Sequence, residues 1–330
     1  MKKLLKKLTQ TNSPSGREYE ISNLIKETVI PYTDEVFTDP LGNLIAHKKG
    51  NGKKVMIAAH MDEIGIVATV IDKNGFIRFS AVGGLYNEDL VGRRVLFKNG
   101  VIGVIGSEED NKKRKILNMY IDIGSKSEEE TLKYVNIGDM AAFTGDFYEN
   151  ENVIVSKALD NRAGCYAVIE AMKSLTSDND LYFVFTSQEE VGLRGAKTSA
   201  NFISPDYALS VDVTDTGDTP EGIKMAVNLG KGACIKVMDR SVLCNCDVRN
   251  ILIELSKNNS IDYQLEVMNY GGTDAGAIQT SGYGVKTGGI SIPTRYIHSP
   301  SEMISKKDLK DCIELLRLFC EFDFGGYECE

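Results

Sequence analysis

The chain has 330 residues, 42% of them apolar and 26% charged, the balance of a soluble globular protein long enough for two domains. Lys and Arg number 38 against 47 Asp and Glu, a net charge of −9, which argues against nucleic acid or an anionic membrane as a partner. No stretch approaches the roughly 20 apolar residues of a membrane span.

The start, MKKLLKKLTQ, has its apolar residues in pairs, too short for a signal-peptide core. Residues 16–30 predict a helix, with Ile21, Leu24, Ile25 and Thr28-Val29 on one stripe. Strands follow at DEVFTD and NLIAHKK, and then a strongly apolar strand, KKVMIAA, runs into His60. From 65 to about 152 the character changes to short β-rich runs, GIVATVI, GFIRFSAV, RRVLFKNG, VIGVIGS, KILNMYIDIG and DMAAFTGD, broken by Asn-Gly, Gly-Gly and Asp-Asn turn signals. Within it only Ser127 to Val135 suits a helix, opening on a Ser127…Glu130 capping box. The segment reads as a small β-barrel inserted after His60.

Strands and helices alternate again from 153 to the end, as in a mostly parallel, layered α/β sheet. Cys165, Val168, Ile169, Met172 and Leu175 have helical spacing, so Asp160-Asn161 is a helix start. Later helices fit 247–258 and 305–321, the last with Leu309, Cys312, Ile313, Leu316, Phe319 and Cys320 as its core stripe. The layered domain is therefore discontinuous, 1–65 with 153–330, and 66–152 is the insert. The seven cysteines, at 165, 234, 244, 246, 312, 320 and 329, are odd in number and scattered. That is no disulfide framework, and a reduced, cytoplasmic protein is expected.

Two of the three histidines, His60 and His298, lie at strand ends, as do Asp160, Glu189-Glu190 and Asp212. Strand ends on one edge of an α/β sheet are where such folds build their sites. Two imidazoles and several carboxylates meeting there suit a pair of divalent metals, and hence metal-assisted hydrolysis. Asp62, two residues after His60 on an extended backbone, faces the same way and can reach its free ring nitrogen. Asp160 serves equally as a helix N-cap or as a carboxylate shared between metals. Glu189 and Glu190 point different ways, so one can bind metal while the other faces water; spacing alone leaves open which. Asp212, inside a buried strand, needs a partner or a metal. His47, beside Lys48 and Lys49, is expected at the surface, and Cys244 and Cys246 are expected to be buried or spare thiols. GGTDAGA, 271–277, either brings backbone close to a substrate or turns into a short helix. The chain has no G-x-G-x-x-G, no phosphate-binding loop and no G-x-S-x-G elbow.

In order along the chain, AAHMDEIG, KALDNRAG, SQEEVGLRGA, SVDVTDTGD, GGTDAGAI and PTRYIHSP resemble the di-metal aminopeptidases that assemble into tetrahedral particles. The resemblance covers essentially the whole chain. It implies a zinc-exopeptidase-type catalytic domain interrupted by a PDZ-like β-barrel dimerisation domain. It implies two metal ions, zinc or cobalt, one held by His60, Asp160 and Asp212 and the other by Asp160, Glu190 and His298. Glu189 corresponds to the family's general base and Asp62 to its partner of His60. The substrates implied are peptides, shortened from the N-terminus, and the assembly implied is dimers combining into a dodecamer. Two other readings stand beside it. A glycoside hydrolase could use a carboxylate pair but would leave both histidines without a role, and there is no Trp for sugar stacking. A non-catalytic oligomeric metal-binding scaffold would be expected to have lost Glu189 or a ligand.

Overall fold

A computed structural model describes residues 2–108 and 115–326. Its larger body is an eleven-stranded mixed sheet. At the centre lies the strand Lys54–His60, paired in parallel with Asp180–Thr186 on one side and Tyr207–Thr214 on the other. Tyr207–Thr214 pairs in parallel with Lys286–Arg295. These four strands are buried along nearly their whole length, and the first three read as largely apolar runs, as central parallel strands do, while Lys286–Arg295 carries Gly288, Gly289, Ser291 and Thr294 in its buried stretch. Register then fixes the geometry that matters. Thr186 lies opposite His60, and Asp212 opposite Ser291, so four carboxyl-terminal strand ends open onto one edge.

Helices cover both faces. One layer holds Leu159–Ser174, Cys246–Asn258, Lys306–Glu321 and the two N-terminal helices, Lys2–Gln10 and Tyr19–Val29, over the main core. The other holds Arg194–Ile203 and Asp274–Gln279, which bury Ala196, Ala200, Ile203 and Ile278 against Ile45, Met56, Ala58 and Val184. Lys306–Glu321 starts where expected. The Ser305 hydroxyl accepts from the amides of Lys307 and Asp308, and Leu309, Cys312, Leu316, Phe319 and Cys320 are all fully buried. Leu159–Ser174 lies so close to the sheet that a Cβ at Gly164 would meet the Val211 carbonyl oxygen at 2.7 Å. Only glycine fits there.

Between Gly65 and Phe143 six antiparallel strands close into a barrel with its own core, including Ile66, Phe79, Val95, Ile105 and Ile121. The chain re-enters the large sheet at Tyr148–Glu149. The Ser127 helix is shorter than expected, Glu128–Leu132, although Ser127 does cap it. Two helices were missed: Lys2–Gln10, and Arg194–Ile203, which begins in what reads as a tight VGLRGA turn.

His47 corrects an expectation. It is only 8% exposed, because the edge strand Glu35–Thr38 pairs alongside it. Its ring stacks on Tyr182 at 4.0 Å between centroids, and its Nε2 lies 2.6 Å from Asp180. The neighbouring lysines hide this in the sequence. The six described cysteines are free, Cys244 buried and Cys246 exposed; Cys329 lies outside the described residues. No described helix is long and apolar enough to cross a membrane.

Candidate metal centre

The strand edge gathers the residues singled out for chemistry, His60, Asp62, Asp160, Glu189, Glu190, Asp212 and His298. His60 ends the central strand, and its Nε2 lies 3.0 Å from Asp160 Oδ1 and 3.6 Å from Asp212 Oδ1. His298, three residues beyond Lys286–Arg295, has its Nε2 3.2 Å from the other Asp160 oxygen and 3.3 Å from Glu190 Oε2. Asp160 thus stands between two imidazoles, one oxygen toward each. It is not itself the helix cap: Asp160 and Asn161 both have non-helical backbones, and it is the Asn161 side chain that accepts from the Gly164 amide where the regular helix begins.

Glu189 and Glu190 follow the strand Asp180–Thr186 and do point apart. Glu190 faces His298, while Glu189 Oε2 is 3.9 Å from His60 Nε2 and makes no closer ion pair among the described residues. Their side chains are only 10% and 4% exposed. Asp62 orders this corner from beneath. Its two oxygens accept from the backbone amides of Glu189 and Glu190, at 3.1 and 3.2 Å, and from the Ser15 hydroxyl at 2.6 Å. Its Oδ1 is 3.5 Å from His60 Nδ1, an ionic contact too long for a hydrogen bond, and that ring nitrogen has no hydrogen-bond partner among the described residues.

Charge is crowded here. Burial opposes protonation of both histidines, yet the carboxylates outweigh it. Glu189 and Asp212 raise His60 well above the usual imidazole range, and Glu190 and Asp160 push His298 up to about 12. Burial also raises Glu189, Glu190 and Asp212 above ordinary carboxylates. Asp160, opposed by burial but flanked by both imidazoles, is held lower. Asp274, behind the site, is pushed up to about 7 by burial and by Asp212 and Asp62. Without added positive charge, protons must supply what this cluster lacks.

The donor set fits divalent cations. His60, Asp160 and Asp212 each present an atom within 4.8 Å of the others, and so do Asp160, Glu190 and His298. Donors about 2.0–2.2 Å from a tetrahedral metal stand roughly 3.4 Å apart. The imidazole-to-carboxylate separations of 3.0–3.6 Å match that spacing. The buried Glu190 Oε1 also lacks a hydrogen-bond partner among the described residues.

Around these residues lies a cavity of about 430 Å³, walled further by Leu193, Met268, Tyr270 and Gly271–Thr273. The barrel contributes Gly84 and Tyr86 to its wall, which no strand pattern signals. Asp215 lines it too and accepts from the Tyr270 hydroxyl at 3.0 Å. Glu302 was missed. It is buried and accepts from two backbone amides of the site; the trace it leaves in the sequence is an acid four residues after His298, inside a strand.

A family model described as M42 glutamyl aminopeptidase matches residues 42–315. The chain is 54% identical, over 95% of its own length and 96% of the other, to a protein of Acetivibrio thermocellus provisionally named an aminopeptidase. It is also similar to the solved aminopeptidase APDkam598 of Desulfurococcus kamchatkensis, with a TM-score of 0.92, 39% identity and coverage of 96% of this chain and 93% of that one. A third likeness is the Pyrococcus horikoshii TET1 peptidase, at a TM-score of 0.87 and 35% identity over 96% and 98% of the two chains. That protein is described as assembling into a tetrahedron or a large octahedral shell.

Proposed function

The chain belongs to the M42 glutamyl aminopeptidase family and is a hydrolase acting on peptides, and we propose that it removes N-terminal residues at a centre holding two divalent metal ions. The observation that carries this reading is the Asp160 carboxylate, whose two oxygens face His60 and His298 separately. One ion would be held by His60, Asp160 and Asp212, the other by Asp160, Glu190 and His298, with zinc or cobalt both compatible with this oxygen and imidazole set. The chemistry supplied by such a pair, when bound, is acidification of a water and polarisation of the scissile carbonyl.

The chain's own residues do the rest. Glu189 takes a proton from the attacking water at its carboxylate and returns it to the departing amine, a role worth about 10²–10⁴ in rate. It suits that role because it lies beside the donor groups and belongs to neither, and burial raises it above the ordinary carboxylate range. Asp62 fixes the backbone from which both glutamates project and faces the free nitrogen of His60. The buried acids beside the cavity attract a free α-amine, which limits cleavage to the chain end.

The layered body, 1–65 with 153–330, is assigned the catalysis and the insert 66–152, which carries the barrel, the pairing of subunits. Self-association follows the family, and the assembly proposed is dimers combining into a tetrahedral dodecamer with the sites facing inward. The compartment proposed is the cytoplasm, where free thiols are kept reduced. The test uses a short peptide with a free N-terminus and its N-acetylated twin, each with and without chelator. Release of the first residue from the free peptide alone, abolished by chelation, is expected. Equal cleavage of both peptides would reject the exopeptidase reading.

A further inference from the structure

The two strands that deliver Asp160 and His298 to the site are not neighbours. Val153–Ser156 leads to Asp160, and Lys286–Arg295 leads to His298. Between them runs Glu302–Ser305, antiparallel to both, with Glu302 level with Ser156 and Met303 level with Arg295. Glu302 is 2% exposed, and it spends both carboxylate oxygens on backbone. Oε2 accepts from the Asp160 amide and Oε1 from the His298 amide, each at 2.9 Å. Burying a carboxylate is costly unless its oxygens are well satisfied, so its place here needs a reason beyond packing. His298 supplies one. Its φ is +61° and that of Tyr296 is +62°, a left-handed backbone that is unfavourable for any residue with a side chain. Such a conformation persists only where the surroundings hold it. The His298 amide has Glu302 as its partner.

We infer that Glu302 is a positioning residue: one buried carboxylate clamps the backbones of Asp160 and His298 together and so sets the spacing of the Asp160–Glu190–His298 donor group. The inference rests on the metal assignment proposed above. It carries an asymmetry. The clamp touches two of the three residues of that group but only the shared Asp160 of the other, in which His60 and Asp212 are held by the central strands. Loosening it should therefore weaken one metal site more than its neighbour.

The test is calorimetric titration of the metal-free full-length protein with zinc. The wild-type protein should bind two ions per chain. Glu302→Gln keeps the volume but turns an NH2 toward an amide donor, so one clamp bond is lost. One binding step should weaken by about 10–100-fold, the usual effect of losing a partner that orients a ligand, while the other holds within a few-fold. The weakened step should be the one missing in His298→Ala. Glu302→Asp, which keeps the buried charge but is one methylene too short to reach both amides, should weaken the same step, and it stands in if the glutamine variant fails to fold. Two unchanged steps in both variants would overturn the inference. So would equal weakening of both steps alongside a lowered melting temperature of the metal-free protein, the signature of a purely structural role. A wild-type protein that bound no metal would refute the metal assignment itself, and the inference with it.

Discussion

Glu189→Gln separates proton transfer from metal binding. The substitution is isosteric and leaves the backbone bond from residue 189 to Asp62 in place. Glu189 lies in neither donor group and sits 3.9 Å from His60 Nε2, while that nitrogen keeps its 3.0 Å contact with Asp160. Two metals per chain should therefore remain. What disappears is the only group proposed to accept the water's proton, and with it about 10²–10⁴ in kcat, or about 2.7–5.4 kcal/mol. The side chain is only 10% exposed, so bulk solvent has little access to stand in for it, which places the loss toward the upper end. Stability should move the other way. A buried acid whose folded pKa is raised destabilises the fold as pH climbs from the unfolded value through the folded one. The metal-free glutamine variant should accordingly melt no lower than the metal-free parent at pH 7. The assays are steady-state release of p-nitroaniline from amino-acid p-nitroanilides and metal analysis of the same sample. Glu190→Gln should show the opposite pattern, losing metal first. If Glu189→Gln lost metal while Glu190→Gln kept both ions, the two roles would have to be exchanged.

Asp160→Ala removes the carboxylate that faces both histidines, so metal analysis should find fewer than two ions per chain; two would show that the carboxylate is not shared. Asp218, held at about 2 by its hydrogen bonds from Arg295, contributes stability that is present above the unfolded carboxylate value near 3.9 and lost as pH falls through about 2. Asp218→Asn should therefore melt below wild type at pH 7, with the gap closing by pH 2, and a gap that stayed constant across that range would exclude the Arg295 pair as its cause. Light scattering should find a particle near the mass of twelve 36.3 kDa chains, about 436 kDa, with dimers on dissociation. A fully active monomer at micromolar concentration would end the assembly proposal.

Most of the site could be read from sequence because each residue sits where an apolar run stops, and the parallel register carries those stops to one edge. His60 and Asp212 are the clearest cases, since their strands are buried throughout. What stayed hidden depends on contacts between distant segments. Whether Glu189 or Glu190 faces His298 is decided by a backbone that is left-handed at Gln188 and by Asp62 gripping both amides, which no spacing rule contains. His47 looked solvated because its burial comes from Tyr182 and the paired edge strand rather than from its neighbours. Glu302 drew no reading from the sequence because the two amides it accepts from lie 142 and 4 residues away. The barrel's Gly84 and Tyr86 reach the cavity by tertiary packing alone.

Two metal ions, bound by the two donor groups that share Asp160, are proposed to make this strand edge an aminopeptidase centre. The most direct measurement titrates the metal-free protein with zinc or cobalt while following hydrolysis of an amino-acid p-nitroanilide. Activity should be absent at the start and reach its maximum at two ions per chain. Full activity in protein shown to be free of metal would contradict the account.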